Sequence, residues 1–385
     1  MGAVTMIRSV LLSILLVAAA CGDDLRSSGP DSGAQPDAGG DQPASATVFA
    51  VATDFFSAGI ASSIAIPGLE VTENVVDGVA STDPVVRAAD GRLFIVNRFG
   101  HDNVTVLDAD SLELIAQIST GAGSNPQDVA VDGDLLYVPT LAGRGVAVLD
   151  LGRPDEGVVD TIDLSAFDPD DGEPNCHSAV IVERRLAVVC GILNERFRPR
   201  RRGLVAVIDL DDRSAPVRRV MLEYRRPFGF ALAPSSGPLA GDILVPTAPK
   251  FFDPAAAGCV ERVHVAGGRP TAAGCLIDNQ ELGGFASGLA AVGDRVWIAV
   301  TTGFDPDDYG ALGYAAAWNA TAGAMEAPMT AEGVRAMDIA ACPGGELAVS
   351  DATLGVRVYD AGGAEMTGAP LDLGLPPVSN GLVCY

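Results

Sequence analysis

The chain has 385 residues, 50 of them acidic and 25 basic, giving a net charge of −25 and a pI near 4.3. Such a surface repels phosphate backbones and excludes nucleic acid as a partner. With 48% of residues hydrophobic there is ample material for a core, and 385 residues fit one large repeat-built domain behind a leader.

Residues 1–20 read as a signal peptide, with Arg8 as the positive start, VLLSILLVAAA as the apolar segment, and Cys21 immediately after it. The apolar run is too short to span a bilayer. The stretch VAAAC resembles the lipobox of bacterial lipoproteins, which implies that the Cys21 thiol is acylated and becomes the N-terminus. Ala18 departs from that pattern, where Leu or Val is commoner. Ordinary cleavage after A-x-A, leaving a soluble protein, is the alternative. Residues 21–47, rich in Gly, Ser, Pro and Asp, then form a flexible tether. The expected location is the bacterial cell envelope, facing periplasm or exterior, with the membrane touched through the lipid alone.

Residues 48–385 repeat one theme. Short β-branched runs begin at Val48, Leu93, Leu135, Leu186, Ile243, Val296 and Leu347, at intervals of 42 to 57 residues. Several strand-like segments per unit, divided by Gly and Asp turns, predict an all-β, seven-bladed β-propeller of four-stranded antiparallel blades. Within 126–165 the order is inner strand A (PQDVAVD), B (LLYVPT), C (GVAVLDL) and D (VVDTIDLS). The C strands NVTVLD, GVAVLD, LVAVID and GVRVYD alternate apolar residues, giving each a buried face, and close on an Asp suited to a tight turn. The run from Val48 lacks an A strand, and the tail PPVSNGLVCY supplies a lone one, so both ends should share a sheet and close the ring.

The run IVNRFGHDNVTVLDADSLELIAQISTGAGSNPQDVAVDGDLLYV resembles the YVTN-repeat family of seven-bladed propellers. The likeness is good over blades 2 and 3, fair at 335–360 and faint in blades 5 and 6. It implies a fold rather than an activity, since related propellers include lactonases, haem-binding domains of nitrite reductases and surface-layer proteins.

Six cysteines remain after Cys21. Cys176 and Cys190 flank one hairpin turn and Cys259 and Cys275 another, which predicts two cross-strand disulfides, and Cys342 pairs with Cys384 by elimination. No C-x₂-C spacing suggests zinc.

The long connections, at 166–174, 193–202, 249–258 and 303–312, all belong to the face that carries the D-to-A and B-to-C loops, where binding is expected. Three contain Phe-Asp-Pro: Phe167-Asp168-Pro169, Phe252-Asp253-Pro254 and Phe304-Asp305-Pro306. Their carboxylates, with Asp170 and Asp307, could gather around Ca²⁺, although Asp-Pro also starts ordinary turns. Arg196, Arg198, Arg200, Arg201 and Arg202 form a basic loop fit for an anionic ligand, or for pairing with Asp168, Asp170 and Asp171. His101 and His177 should face the same mouth, and His264 should pack within a strand. No G-x-S-x-G, Walker A or HExxH element occurs. The sequence therefore favours a monomeric binding or scaffold module for a protein or small ligand, without a catalytic residue or cofactor. The alternative is a lactonase- or gluconolactonase-like hydrolase with its site at the channel mouth.

Overall fold

Six of the seven β-branched runs become the second strand of their own sheet, and the run from Ile243 becomes the first continuous strand of its sheet. In the computed structural model, which describes residues 46–248, 257–307, 310–352 and 354–385, seven antiparallel sheets follow one another. The signal peptide, Cys21, the tether as far as residue 45 and Phe252-Asp253-Pro254 lie outside the described residues, while Ala46 and Thr47, assigned to the tether from sequence, are strand. Blade 1 is composite: from the channel outward it runs Pro377–Cys384, Ala46–Thr53, Gly59–Ile66 and Val71–Thr72. The expected closure is therefore present. The first strand opens at Ala46, where Thr47 exchanges both main-chain hydrogen bonds with Tyr385, at 2.8 and 3.1 Å.

Blades 2, 3, 4 and 6 also have four strands. In blades 5 and 7 three strands are continuous, and the fourth position is reduced to isolated bridges, Leu232 to Leu244 in the former and Val356 to Leu371 in the latter. The loop expected at 303–312 is shortened at both ends, because Arg295–Phe304 and Ala311–Asn319 are strand and Gly303 and Phe304 pair with Leu312 and Ala311.

The Asp that closes each C strand does what a short carboxylate can do at a turn. Asp108, Asp150, Asp209 and Asp360 each accept hydrogen bonds from backbone N–H groups two to four residues on.

Packing departs from the expectation of a single buried face per strand. Along Arg92–Asn97, Leu93 and Ile95 join the core shared with blade 1, while Phe94 and Val96 join the core shared with blade 3. A period of two thus serves both neighbours. Seven apolar clusters fill the seven seams, including that between blades 7 and 1, where Ala340 and Ala348 meet Val48 and Ala50. At roughly 25 cal/mol per Å² of apolar surface removed from water, these seams are the main source of stability.

Three disulfides pin the ring. Cys176 and Cys190 are register partners in blade 4, with Cα atoms 3.9 Å apart. Cys259 and Cys275 join adjacent strands of blade 5 with Cα atoms 5.8 Å apart, and Cys342 ties blade 7 to the closing strand through Cys384, with Cα atoms 4.8 Å apart.

Candidate functional site: an aromatic funnel at the channel mouth

The inner strands bring polar groups to the axis, where they are spent on each other. Arg87 of blade 2 forks onto Asp128 of blade 3, with Nε to Oδ1 at 2.7 Å and Nη2 to Oδ2 at 2.8 Å. Asp128 is fully buried and also accepts from Val129 N–H, Ala179 N–H and the Ser178 hydroxyl. Ser178 Oγ in turn accepts from Ala231 N–H of blade 5 at 2.9 Å. One relay therefore ties four consecutive blades. Asp338 of blade 7 makes a similar clasp onto blade 1, accepting from Ile339 N–H at 2.9 Å and Leu382 N–H at 3.1 Å. Burial pushes its carboxyl up to about 7, against the opposing pull of those amides and of Arg87. Gly288 of blade 6 is needed beside it, since a Cβ there would come within 2.6 Å of Asp338 Oδ1.

Phe230 reaches across the axis from blade 5. The Arg87 guanidinium lies 3.7 Å from its ring centroid, and its N–H donates to Asn380 Oδ1 of blade 1 at 3.3 Å. It forms part of the floor of a cavity of about 560 Å³ that opens on the face bearing the B-to-C loops. Phe55, Phe197, Phe228, Phe230, Phe285 and Phe304 line it, six of the 13 phenylalanines in the chain, drawn from blades 1, 4, 5 and 6. Phe228 and Phe285 meet edge to face, with centroids 5.4 Å apart. Phe55 and Phe197 remain 57% and 52% exposed at the rim, and both hold left-handed backbone, with φ of 61° and 54°. That conformation costs an L-residue about 1–2 kcal/mol.

Of the residues singled out from sequence, His177 lines this cavity. Its Nε2 is shielded from solvent and has no hydrogen-bond partner among the described residues. Burial pulls the imidazole down to about 4, so it is neutral at physiological pH; Asp128 and a main-chain bond at Asn175 pull the other way. His101 is exposed in the blade 2 loop and does not line the cavity.

The arginine loop is organised differently from a ligand-facing patch. Arg200 binds Asp171 at 2.7 Å and Arg201 binds Asp170 at 2.8 Å, and both stand 3.7 to 3.8 Å from the fully buried Asp168. Arg202 donates to Leu222 O, and Arg196 and Arg198 are exposed. Phe197, between them, is the residue of 196–202 that enters the cavity lining. Asp305 pairs with Arg335 at 2.7 Å and accepts from Asp307 N–H, while the Asp307 side chain is exposed. The first Asp-Pro loop and the arginine loop thus pair with each other, the second described Asp-Pro loop pairs with Arg335, and the described lining of the mouth is largely aromatic. Among the described residues no three of His, Cys, Asp and Glu converge as metal ligands do. His264 does not pack into the core: it is half exposed and its Nδ1 lies 2.5 Å from Asp242 Oδ1.

Sequence reasoning missed the phenylalanines, although a signal existed. With aromatic residues only 5% of the chain, Phe recurs in B-to-C loops at Phe55 and Phe197, at the end of a B strand at Phe304, ahead of the first continuous strand of blade 5 at Phe228 and Phe230, and at the start of an inner strand at Phe285. In Phe304-Asp305-Pro306 it is the Phe that lines the cavity.

No protein-family model matches the chain, and no curated protein does. Among solved structures, it is similar to apo AztD from Citrobacter koseri, with a TM-score of 0.51 at 12% identity over 89% of this chain and 98% of that one. Hydrazine synthase of Kuenenia stuttgartiensis gives a TM-score of 0.50 at 18% identity, covering 70% of this chain and 74% of that one. The Pan2 WD40 domain of Neurospora crassa gives 0.50 at 10%, covering 72% and 74%. At these identities the likeness establishes the propeller fold and nothing finer.

Proposed function

We propose that the protein is an exported, lipid-anchored propeller of the YVTN-repeat kind that binds a small ligand in the phenylalanine-lined funnel. One observation carries the reading: six of 13 phenylalanines converge on one cavity at the channel mouth, two of them held exposed at its rim. Rigid blades present these side chains at fixed positions, and a concave, mainly apolar site with a few polar groups is what small ligands select. The three disulfides and the VAAAC segment support export and anchoring through Cys21. Among the described residues no comparable grouping of carboxylates or histidines supports the hydrolase alternative.

The test is a thermal-shift screen of a chemically diverse small-molecule panel on wild type and on Phe228→Ser/Phe304→Ser. Compounds that raise the wild-type melting temperature should leave the variant unmoved. A panel that shifts neither protein, or both alike, would overturn the small-ligand reading. For the anchor, Cys21→Ser should release the protein from membranes; wild-type protein recovered unmodified in the soluble fraction would overturn that part.

A further inference from the structure

Around the funnel, the B-to-C loops of blades 1, 2, 4 and 7 each expose a large apolar side chain: Phe55 and Phe56 in the first, then Phe99, Phe197 and Leu354. Phe56 and Phe99 are 90% and 74% exposed. Phe55, Arg98 and Phe197 line the cavity, so Phe56 and Phe99, next to them in the chain, stand at its edge. The other exposed large apolar residues among those described, Leu114, Ile115, Val158, Met221 and Val292, lie on strands, and none is aromatic. On the opposite face the A-to-B turns are polar, with Asp90-Gly91, Gly133-Asp134, Glu183-Arg184 and Gly293-Asp294.

The loop tips are pinned so that their rings stay outward. Asp54 Oδ1 accepts from the N–H groups of Phe56, Ser57 and Ala58, and Thr53 Oγ1 from that of Phe55. Asn125 Oδ1 accepts from Phe99 N–H at 3.3 Å. Asn194 Oδ1 accepts from Arg196 and Arg198 N–H, while Phe197 N–H donates to Asn194 O at 2.7 Å. Phe55, Phe99 and Phe197 all hold left-handed backbone, with φ of 61°, 25° and 54°, which is unfavourable for any residue with a Cβ. Apolar tips fixed in water at that cost mark a surface that meets something.

These tips are separate points around an open mouth. A fluid apolar phase accepts such points at any spacing, whereas a protein partner would need a fitted pocket for each. Charge agrees with a lipid surface. Arg196 and Arg198 flank Phe197, are exposed, and have no side-chain partner among the described residues, while Glu195 lies 3.7 Å from Arg200 and the Asp54 carboxylate is taken up by its own turn. Rings at the acyl boundary with guanidinium groups level with the phosphates is how interfacial segments bind.

We propose that this face docks on a phospholipid bilayer, with Phe56, Phe99 and Phe197 at the acyl boundary and Arg196 and Arg198 at the phosphates, so that the funnel opens onto lipid. Docking is independent of whether the funnel holds a ligand. The test uses the full chain carrying Cys21→Ser, so that no lipid anchor contributes and residues 1–20 are common to every arm. The net charge of −25 opposes an anionic surface, so the vesicles are of zwitterionic phosphatidylcholine. The protein should sediment with them. Phe56→Ser/Phe99→Ser should weaken partitioning at least about tenfold, Arg196→Ser/Arg198→Ser several-fold, and Leu114→Ser/Ile115→Ser not at all. Fluorescence of Phe56→Trp should be quenched by bromine-labelled acyl chains, and that of Leu114→Trp should not. No sedimentation with vesicles, equal sedimentation of Phe56→Ser/Phe99→Ser, or no quenching in Phe56→Trp would overturn the docking. Dimerisation without vesicles that Phe56→Ser/Phe99→Ser abolishes, together with no sedimentation, would assign the rim to a second copy of the chain and overturn it too. The small-molecule screen stands or falls separately from all of these outcomes.

Discussion

Two aspartates at matching places in the ring close their seams by different means. Asp128 and Asp338 each sit two residues after the residue that opens the pairing of the inner strand with its neighbour, Pro126 and Ala336 respectively. Each accepts from its own following N–H and from the inner strand of the next blade. Asp128 has a guanidinium forked onto it and a hydroxyl relay beyond it. Asp338 has main-chain amides, and its seam is also crossed by Cys342–Cys384. The same stitch is thus completed by charge in one place and by a covalent bond in the other, so the two seams should fail under different insults.

Removing Asp128 should have the largest effect. Asp128→Ala leaves Arg87 facing an apolar ring and strips acceptors from Val129 and Ala179, and should cost about 3–5 kcal/mol in urea denaturation. A loss below about 1 kcal/mol would mean that the relay is ornamental. Next comes the covalent seam. Cys342→Ser/Cys384→Ser should cost about 2–4 kcal/mol under oxidising conditions, since the bridge restricts a long loop in the unfolded chain. Equal stability with and without reductant in wild type would contradict this.

The third prediction uses pH to set the seams apart. A carboxyl pushed up to about 7 keeps a proton in the folded protein that the unfolded chain releases near 4, so Asp338 makes stability fall as pH rises from about 4 to about 7. His177, pulled down to about 4, has the opposite sign: the unfolded chain holds the extra proton up to about 6.5, so stability rises across that range. Each contributes at most about 1.4 kcal/mol per pH unit. In wild type the two largely cancel. His177→Gln should therefore show a stability that declines with pH, and Asp338→Asn one that climbs, when urea midpoints are followed from pH 4 to 7; two parallel profiles would refute the assignment. The smallest change is Ser178→Ala, which breaks the relay at its outer link while keeping the Arg87 fork, and should cost about 1 kcal/mol. A cost as large as that of Asp128→Ala would place the strength of the seam in the hydroxyl instead.

The ring was readable because its grammar is local. Alternating residues, Asp-closed turns and a recurring B strand lie within one unit, and unpaired strand segments at the two ends announced the composite blade. The disulfides followed from hairpin position and parity. The funnel was not readable in this way, because Phe55 and Phe304 belong to one wall only after the ring has closed, and each alone looks like ordinary core. The arginines attracted attention through density, yet density along the chain favoured pairing with the neighbouring Asp-Pro loop. A finer signal was present in the inner strands, where Asp128-Val129-Ala130 and Asp338-Ile339-Ala340 repeat one pattern in blades 3 and 7. Its meaning depends on the next blade's amides, which no local pattern shows.

The composite blade also sets how the molecule bears a pull. The strand Ala46–Thr53 runs toward the funnel, so Ala46 itself lies at the end of the blade away from Phe55 and the mouth. That strand lies between Gly59–Ile66 and Pro377–Cys384, hydrogen-bonded on both sides. Tension along a tether would load both ladders in shear, where many bonds must yield together, rather than peel an edge strand bond by bond. A pull applied at Ala46 would thus be shared between the first and last strands of the chain before any seam between blades had to open.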